Sequence, residues 1–124
     1  MSFNKEEAVA IAAELQKLHD EARSLIADAA SGRHHSDELH ARVVTLKAAI
    51  KEGAKYETLS RRREPKTDLE QCFFGPAMRS ASSNFRMKTN TNPKGSAWAA
   101  GLHEVEFEIS YYLHNLNEYI KENA

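Results

Sequence analysis

Six histidines, one cysteine and a run of alternate glutamates near the C-terminus are the residues of this chain whose chemistry suits catalysis or metal binding. A helical metal site needs ligands three or four positions apart on one face. Asp37 with His40 gives that spacing, and His103 with Glu106 gives it a second time. A di-metal carboxylate bundle requires Glu-x-x-His on two helices plus a Glu on each of two others, and Glu-x-x-His does not occur in the sequence. His34 and His35 fall in a predicted turn, and His114 stands beside the last apolar stripe. Neither a bound metal nor a cofactor is expected.

Nucleophilic and acid–base chemistry fare no better. Cys72 precedes Phe73 and Phe74, where a free cysteine behaves as a small hydrophobe, and a single cysteine excludes an intramolecular disulfide and a multi-cysteine zinc site. Ser80, Ser82 and Ser83 lack the glycine-flanked elbow that exposes a nucleophilic serine. Glu104, Glu106 and Glu108 are capable of acid and base work only if burial drives their pKa values apart. In the N-terminal half of a helix, a favourable dipole and solvated surface account for them. No catalytic set emerges, and the expectation is that the protein is not an enzyme.

Charge is the more informative property. Residues 1–60 carry 8 Lys/Arg against 10 Asp/Glu, residues 61–95 carry 8 against 3, and residues 96–124 carry 1 against 5, which resolves the overall charge of −1 into a basic middle between acidic flanks. Neighbouring acidic helices account for part of this by neutralisation. Arg61, Arg62 and Arg63 also suit a helix C-terminus, where cations stabilise the dipole by about 0.3–1 kcal/mol, yet three exceed that need. Arg79, Arg86, Lys88 and Lys94 extend the positive charge, with Phe85 and Met87 interleaved. Two chemistries use such a segment. It docks against an acidic protein surface, with Arg79, Phe85, Arg86, Lys88 and Lys94 as the contact residues. Alternatively it grips nucleic acid, with Arg61, Arg62, Arg63, Arg86 and Lys88 on phosphates and unpaired bases. No glycine-rich phosphate loop and no recognised nucleic-acid motif accompanies it.

The elements that position these residues are helices. Apolar residues recur at alternating three- and four-residue steps along Ala8, Ile11, Leu15, Leu18, Ala22, Leu25, Ala29, then Leu39, Val43, Leu46, Ile50, then Trp98, Leu102, Val105, Ile109, Tyr112, Leu116, Tyr119. That spacing puts one stripe on one helix face. Helix one is predicted from Lys5 to Ala30, with Asn4 as cap and Glu7 at capping-box spacing. Ser31 to His35 form the turn, and Ser36 caps helix two, which runs through Gly53 to about Arg63 and stops before Pro65. A glycine within a helix costs about 1 kcal/mol against alanine, and close approach of another helix would explain it. A third helical piece, from Thr67 to Phe85, is interrupted at Gly75-Pro76 by a kink or a break, with Pro76 suited to opening a new helix. From Arg86 to Gly95 a loop is predicted, and Ser96 caps the last helix, from Ala97 to about Glu122.

The fold expected is therefore all-α. It is an antiparallel bundle of three long helices, joined by a shorter helix broken near Gly75-Pro76, in one domain over 1–124. No leader pattern follows Met1 and no apolar run approaches the roughly 20 residues needed to cross a bilayer, so a soluble cytoplasmic protein is expected. The function expected is a small non-enzymatic interaction module, an adaptor, regulator or inhibitor of a larger protein, acting through the basic segment before the last helix. A homodimer through Trp98, Tyr112 and Tyr119 is compatible with the rhythm of that helix. A nucleic-acid-binding protein is the alternative, and a small enzyme with a site between the broken helix and the last one is a further alternative.

Overall fold

Asn4 starts the first helix as its place ahead of Lys5 predicts. Its side-chain oxygen accepts a hydrogen bond from the Glu7 amide at 3.1 Å, and its carbonyl accepts the Ala8 amide at 2.9 Å as the first bond of the helix proper. The computed structural model describes residues 4–28, 37–53, 69, 73–89 and 96–123, with the backbone alone at 37, 40, 84–89 and 96–100. Among these residues are four helices and no strand: α1 (Lys5–Asp28), α2 (Asp37–Gly53), α3 (Gly75–Thr89) and α4 (Ser96–Asn123). The molecule is an all-α bundle. None of these helices is long and apolar enough to cross a membrane.

Most of the stripe positions form its interior; on α4, Leu113, outside the predicted stripe, is buried, whereas Tyr112 and Tyr119 of the stripe are half-buried, and Ala29 and the Trp98 side chain lie outside the described residues. Ala8, Ile11, Leu15, Leu18, Ala22 and Leu25 of α1 meet Leu39, Val43, Leu46 and Ile50 of α2, Ala77, Met78 and Ala81 of α3, and Leu102, Val105, Ile109, Leu113 and Leu116 of α4 in one buried cluster. Burying a side chain of leucine size removes apolar surface worth about 1.5–3 kcal/mol from water, so the cluster supplies the main drive for folding. α4 packs along both α1 and α3, whereas α2 leans on α3 and meets α1 along a thinner seam.

Gly53, the last residue of α2, is buried where α3 begins. A Cβ added there would lie 2.5 Å from Met78 Cγ and 2.9 Å from Phe74 Cε2, so the close approach predicted for this glycine is present and α3 is the helix that makes it. The interruption at Gly75-Pro76 also takes a definite form. Phe73 and Phe74 lie in a π-helical turn that runs directly into α3, with Pro76 at the second position of α3.

One boundary differs from the expectation. Arg86–Thr89, predicted as loop, belong to α3. Arginine, methionine and lysine have high intrinsic helix propensity, and the next helix-breaking residue is Pro93, so loss of an apolar stripe after Phe85 was not loss of the helix. The predicted turn at Ser31–His35, the Ser36 cap, helix two beyond Gly53, Pro65, the Thr67 start and Cys72 lie outside the described residues.

Candidate functional site

Continuing α3 to Thr89 rearranges the basic segment. At about 100° per residue, Arg79 and Arg86 are seven positions apart and share one register of the helix. Positions 85 and 88 fall four and seven residues after buried Ala81, in register with the stripe Ala77, Met78, Ala81. Of the proposed contact residues, then, Arg79 and Arg86 come together along the helix, and Phe85 and Lys88 take the opposite register. Arg79 is exposed. The side chains of Phe85, Arg86 and Lys88 lie outside the described residues, as do Lys94, Arg61, Arg62 and Arg63 altogether. α3 contains three cations and no carboxylate.

α4 has the opposite character. It carries Glu104, Glu106, Glu108, Glu118 and Glu122 against Lys121 alone. Phe107 and Tyr111, four residues apart on its outer face, are 62% and 55% exposed. Tyr111 packs edge-on against Tyr112, with ring centroids 5.3 Å apart. The aromatic residues named for self-association are placed differently from this pair. Tyr112 and Tyr119 are half-buried against the chain's own core, and Tyr119 stacks on Phe73 at 5.4 Å; the Trp98 side chain lies outside the described residues.

Two polar constellations went unnoticed in the sequence. His19, the buried polar residue of the core, holds Glu106 of α4 at 2.7 Å through Nε2. Its Nδ1 is buried without a hydrogen-bond partner, and the nearest carboxylate, Asp20, stands 4.0 Å away. An ionised carboxylate is an acceptor only, so Nε2 is the donor of this hydrogen bond. The signal for His19 was its place directly after Leu18 and four residues after Leu15, within the width of the apolar stripe. Glu106, expected as solvated surface, instead faces α1 and is 30% exposed.

The second constellation is Arg42 of α2. Its Nη1 donates to Asp28 Oδ2 at 2.7 Å, Nη2 to Ser24 Oγ at 3.1 Å and Nε to Glu21 Oε1 at 3.3 Å, so one guanidinium grips three side chains of α1. The Asp28 hydrogen bond raises the Arg42 pKa above its ordinary value; partial burial lowers it, and Glu21 adds to the rise. Beside this clasp a groove of about 540 Å³ runs between α1 and α2, floored by Leu18, Leu46 and Ala49 and edged by Glu14, Lys17 and Glu38.

His103 and His114 are both exposed, and the His40 side chain lies outside the described residues. Among the described residues, no three His, Cys, Asp or Glu converge in a metal-binding group. In comparisons with protein-family models, curated proteins and solved structures, nothing matches this chain.

Proposed function

We propose that this protein is a small non-enzymatic interaction module, an adaptor, regulator or inhibitor of a larger protein, that binds through the basic segment ahead of α4. The observation that carries the reading is the helical register of α3, which aligns Arg79 and Arg86 as one basic strip on a helix with no carboxylate of its own. A strip on a helix holds its charges at fixed spacing, so less conformational freedom is lost on docking than from a loop of the same composition. His19 and Glu106 support the non-enzymatic part. Their contact ties α1 to α4, and the remaining ring nitrogen is buried where no substrate reaches it.

The experiment is a pull-down from source-cell extract, with and without nuclease, comparing wild type with Arg79→Gln/Arg86→Gln/Lys88→Gln. The expected result is a protein partner that resists nuclease and is lost from the variant. Recovery of nuclease-sensitive material would replace this reading with nucleic-acid binding, and an unchanged partner in the variant would remove the basic segment as the contact surface.

A further inference from the structure

The groove between α1 and α2 is lined only by residues of those two helices, and Leu18 and Leu46 form its floor. Its α2 wall is Ala41, Thr45 and Ala49, one helical turn apart and all exposed, and Glu14 and Lys17 of the α1 wall are exposed as well. The Thr45 hydroxyl donates to the Ala41 carbonyl of its own helix at 3.0 Å, which leaves that wall apolar in character. A pocket for a small molecule closes over most of its ligand, whereas among the described residues nothing roofs this groove.

Its dimensions suit a helix. At 1.5 Å per residue the lining positions extend about 10 Å along α1, from Glu14 to Glu21, and about 16 Å along α2, from Glu38 to Ala49. Aliphatic anchors at positions i, i+4 and i+7 of a docked helix also span about 10 Å. The short side chains of Ala41 and Ala49 let the axis of such a helix come close.

Charge sets the chemistry of the occupant. Arg42 is already committed, since Glu21 and Asp28 hold its guanidinium together. Glu14, Glu38 and Lys17 make no ion pair among the described residues. The carboxylates Glu14, Glu21, Asp28 and Glu38 thus outnumber the cations Lys17 and Arg42, and the groove and the clasp beside it favour a cationic partner. Val9, Val44, Phe107 and Tyr111, the large apolar residues exposed on this chain, form no aliphatic stripe with basic flanks, so the charges do not select a second copy. We propose that the α1–α2 groove seats an amphipathic helix of another protein, aliphatic where it meets Leu18 and Leu46 and basic at its flanks. This surface is separate from the basic segment ahead of α4, and an adaptor that has both joins two partners.

The test is selection of a displayed peptide library on the whole protein. The peptides are about 15 residues long, the length at which an isolated helix becomes viable in water, on an alanine frame with Leu, Lys or Glu allowed at every position. Ala41→Gln/Ala49→Gln, at two exposed positions, fills the groove without adding charge, and circular dichroism checks that its helicity matches wild type. The winners are expected to carry Leu at i, i+4 and i+7 with more Lys than Glu, and to bind this variant about tenfold more weakly by fluorescence anisotropy, a loss of hot-spot size. Selection on Glu14→Lys/Glu38→Lys should turn the preference from Lys to Glu. Winners that bind the filled groove unchanged, lack the Leu spacing or show no excess of Lys would overturn the inference, as would a library that yields none. Sedimentation velocity of the wild type alone covers the remaining occupant. A dimer that Ala41→Gln/Ala49→Gln dissociates would give the groove to a second copy and overturn the inference too. Neither variant alters Arg79, Arg86 or Lys88, so this result and that of the basic segment are read separately.

Discussion

The two seams that hold α1 in place are built on different principles. Against α4, α1 packs along its length through the buried cluster, and the one polar contact described there, His19 with Glu106, lies within that packing. Against α2, the contact is thin, a groove opens along it, and a guanidinium at the edge makes the polar tie. Burial scales with apolar area and cannot be rearranged cheaply, whereas a half-exposed ion cluster trades protein partners for water at little net cost. The first seam therefore carries more of the stability than the second.

The largest effect expected comes from emptying the first seam. Ile109→Ala removes a fully buried side chain and should destabilise the protein by about 2–5 kcal/mol in urea unfolding followed by circular dichroism. A smaller loss would mean that α4 is not the spine of the core. Next comes Glu106→Ala, which leaves the His19 Nε2 donor buried without an acceptor and should cost about 1–3 kcal/mol. His19→Leu, which removes the donor and keeps an apolar side chain in its place, should cost clearly less. If the two substitutions were equal, the contact would contribute attraction rather than merely avoid an unsatisfied group.

Gly53→Ala is intermediate. The new Cβ must displace Met78 and Phe74, an overpacking cost of about 1–3 kcal/mol, partly offset by up to about 1 kcal/mol of better helix propensity. Calorimetry should show a lowered Tm, and Gly53→Ala should cost less when added to a Met78→Ala background than when added to wild type. The smallest effect belongs to the second seam. Arg42→Ala should cost about 1 kcal/mol or less, and the difference from wild type should shrink as salt is added. A loss comparable with that of Ile109→Ala would erase the contrast between the seams.

How far the sequence disclosed this arrangement depended on the range of the interaction concerned. The stripes of α1, α2 and α4 were legible because three- and four-residue spacing is a local property, and so was the Asn4 cap. Gly53 was legible as an exception to local propensity that needed a neighbour. The end of α3 is not legible from an apolar stripe, which stops at Phe85, while Arg86, Met87 and Lys88 continue the helix through their intrinsic propensity alone. His19 with Glu106 spans 87 residues of chain, and Arg42 reaches three side chains of another helix. No periodicity encodes such a pairing, since only the relative rotation of two packed helices decides which polar residue at the edge of one stripe meets which at the edge of the next. The basic strip was legible as composition, but its division into Arg79 with Arg86 on one side and Phe85 with Lys88 on the other required the helix.

The His19 ring has a use of its own. One nitrogen is held by Glu106 and the other is shielded from solvent without a hydrogen-bond partner, whereas His103 and His114 stand in water. In a nitrogen-15 spectrum, that difference in surroundings sets the His19 ring apart from the two exposed rings. The protein thus contains a native spectroscopic label at the junction of α1 and α4. It reports whether that junction is closed without any residue being replaced.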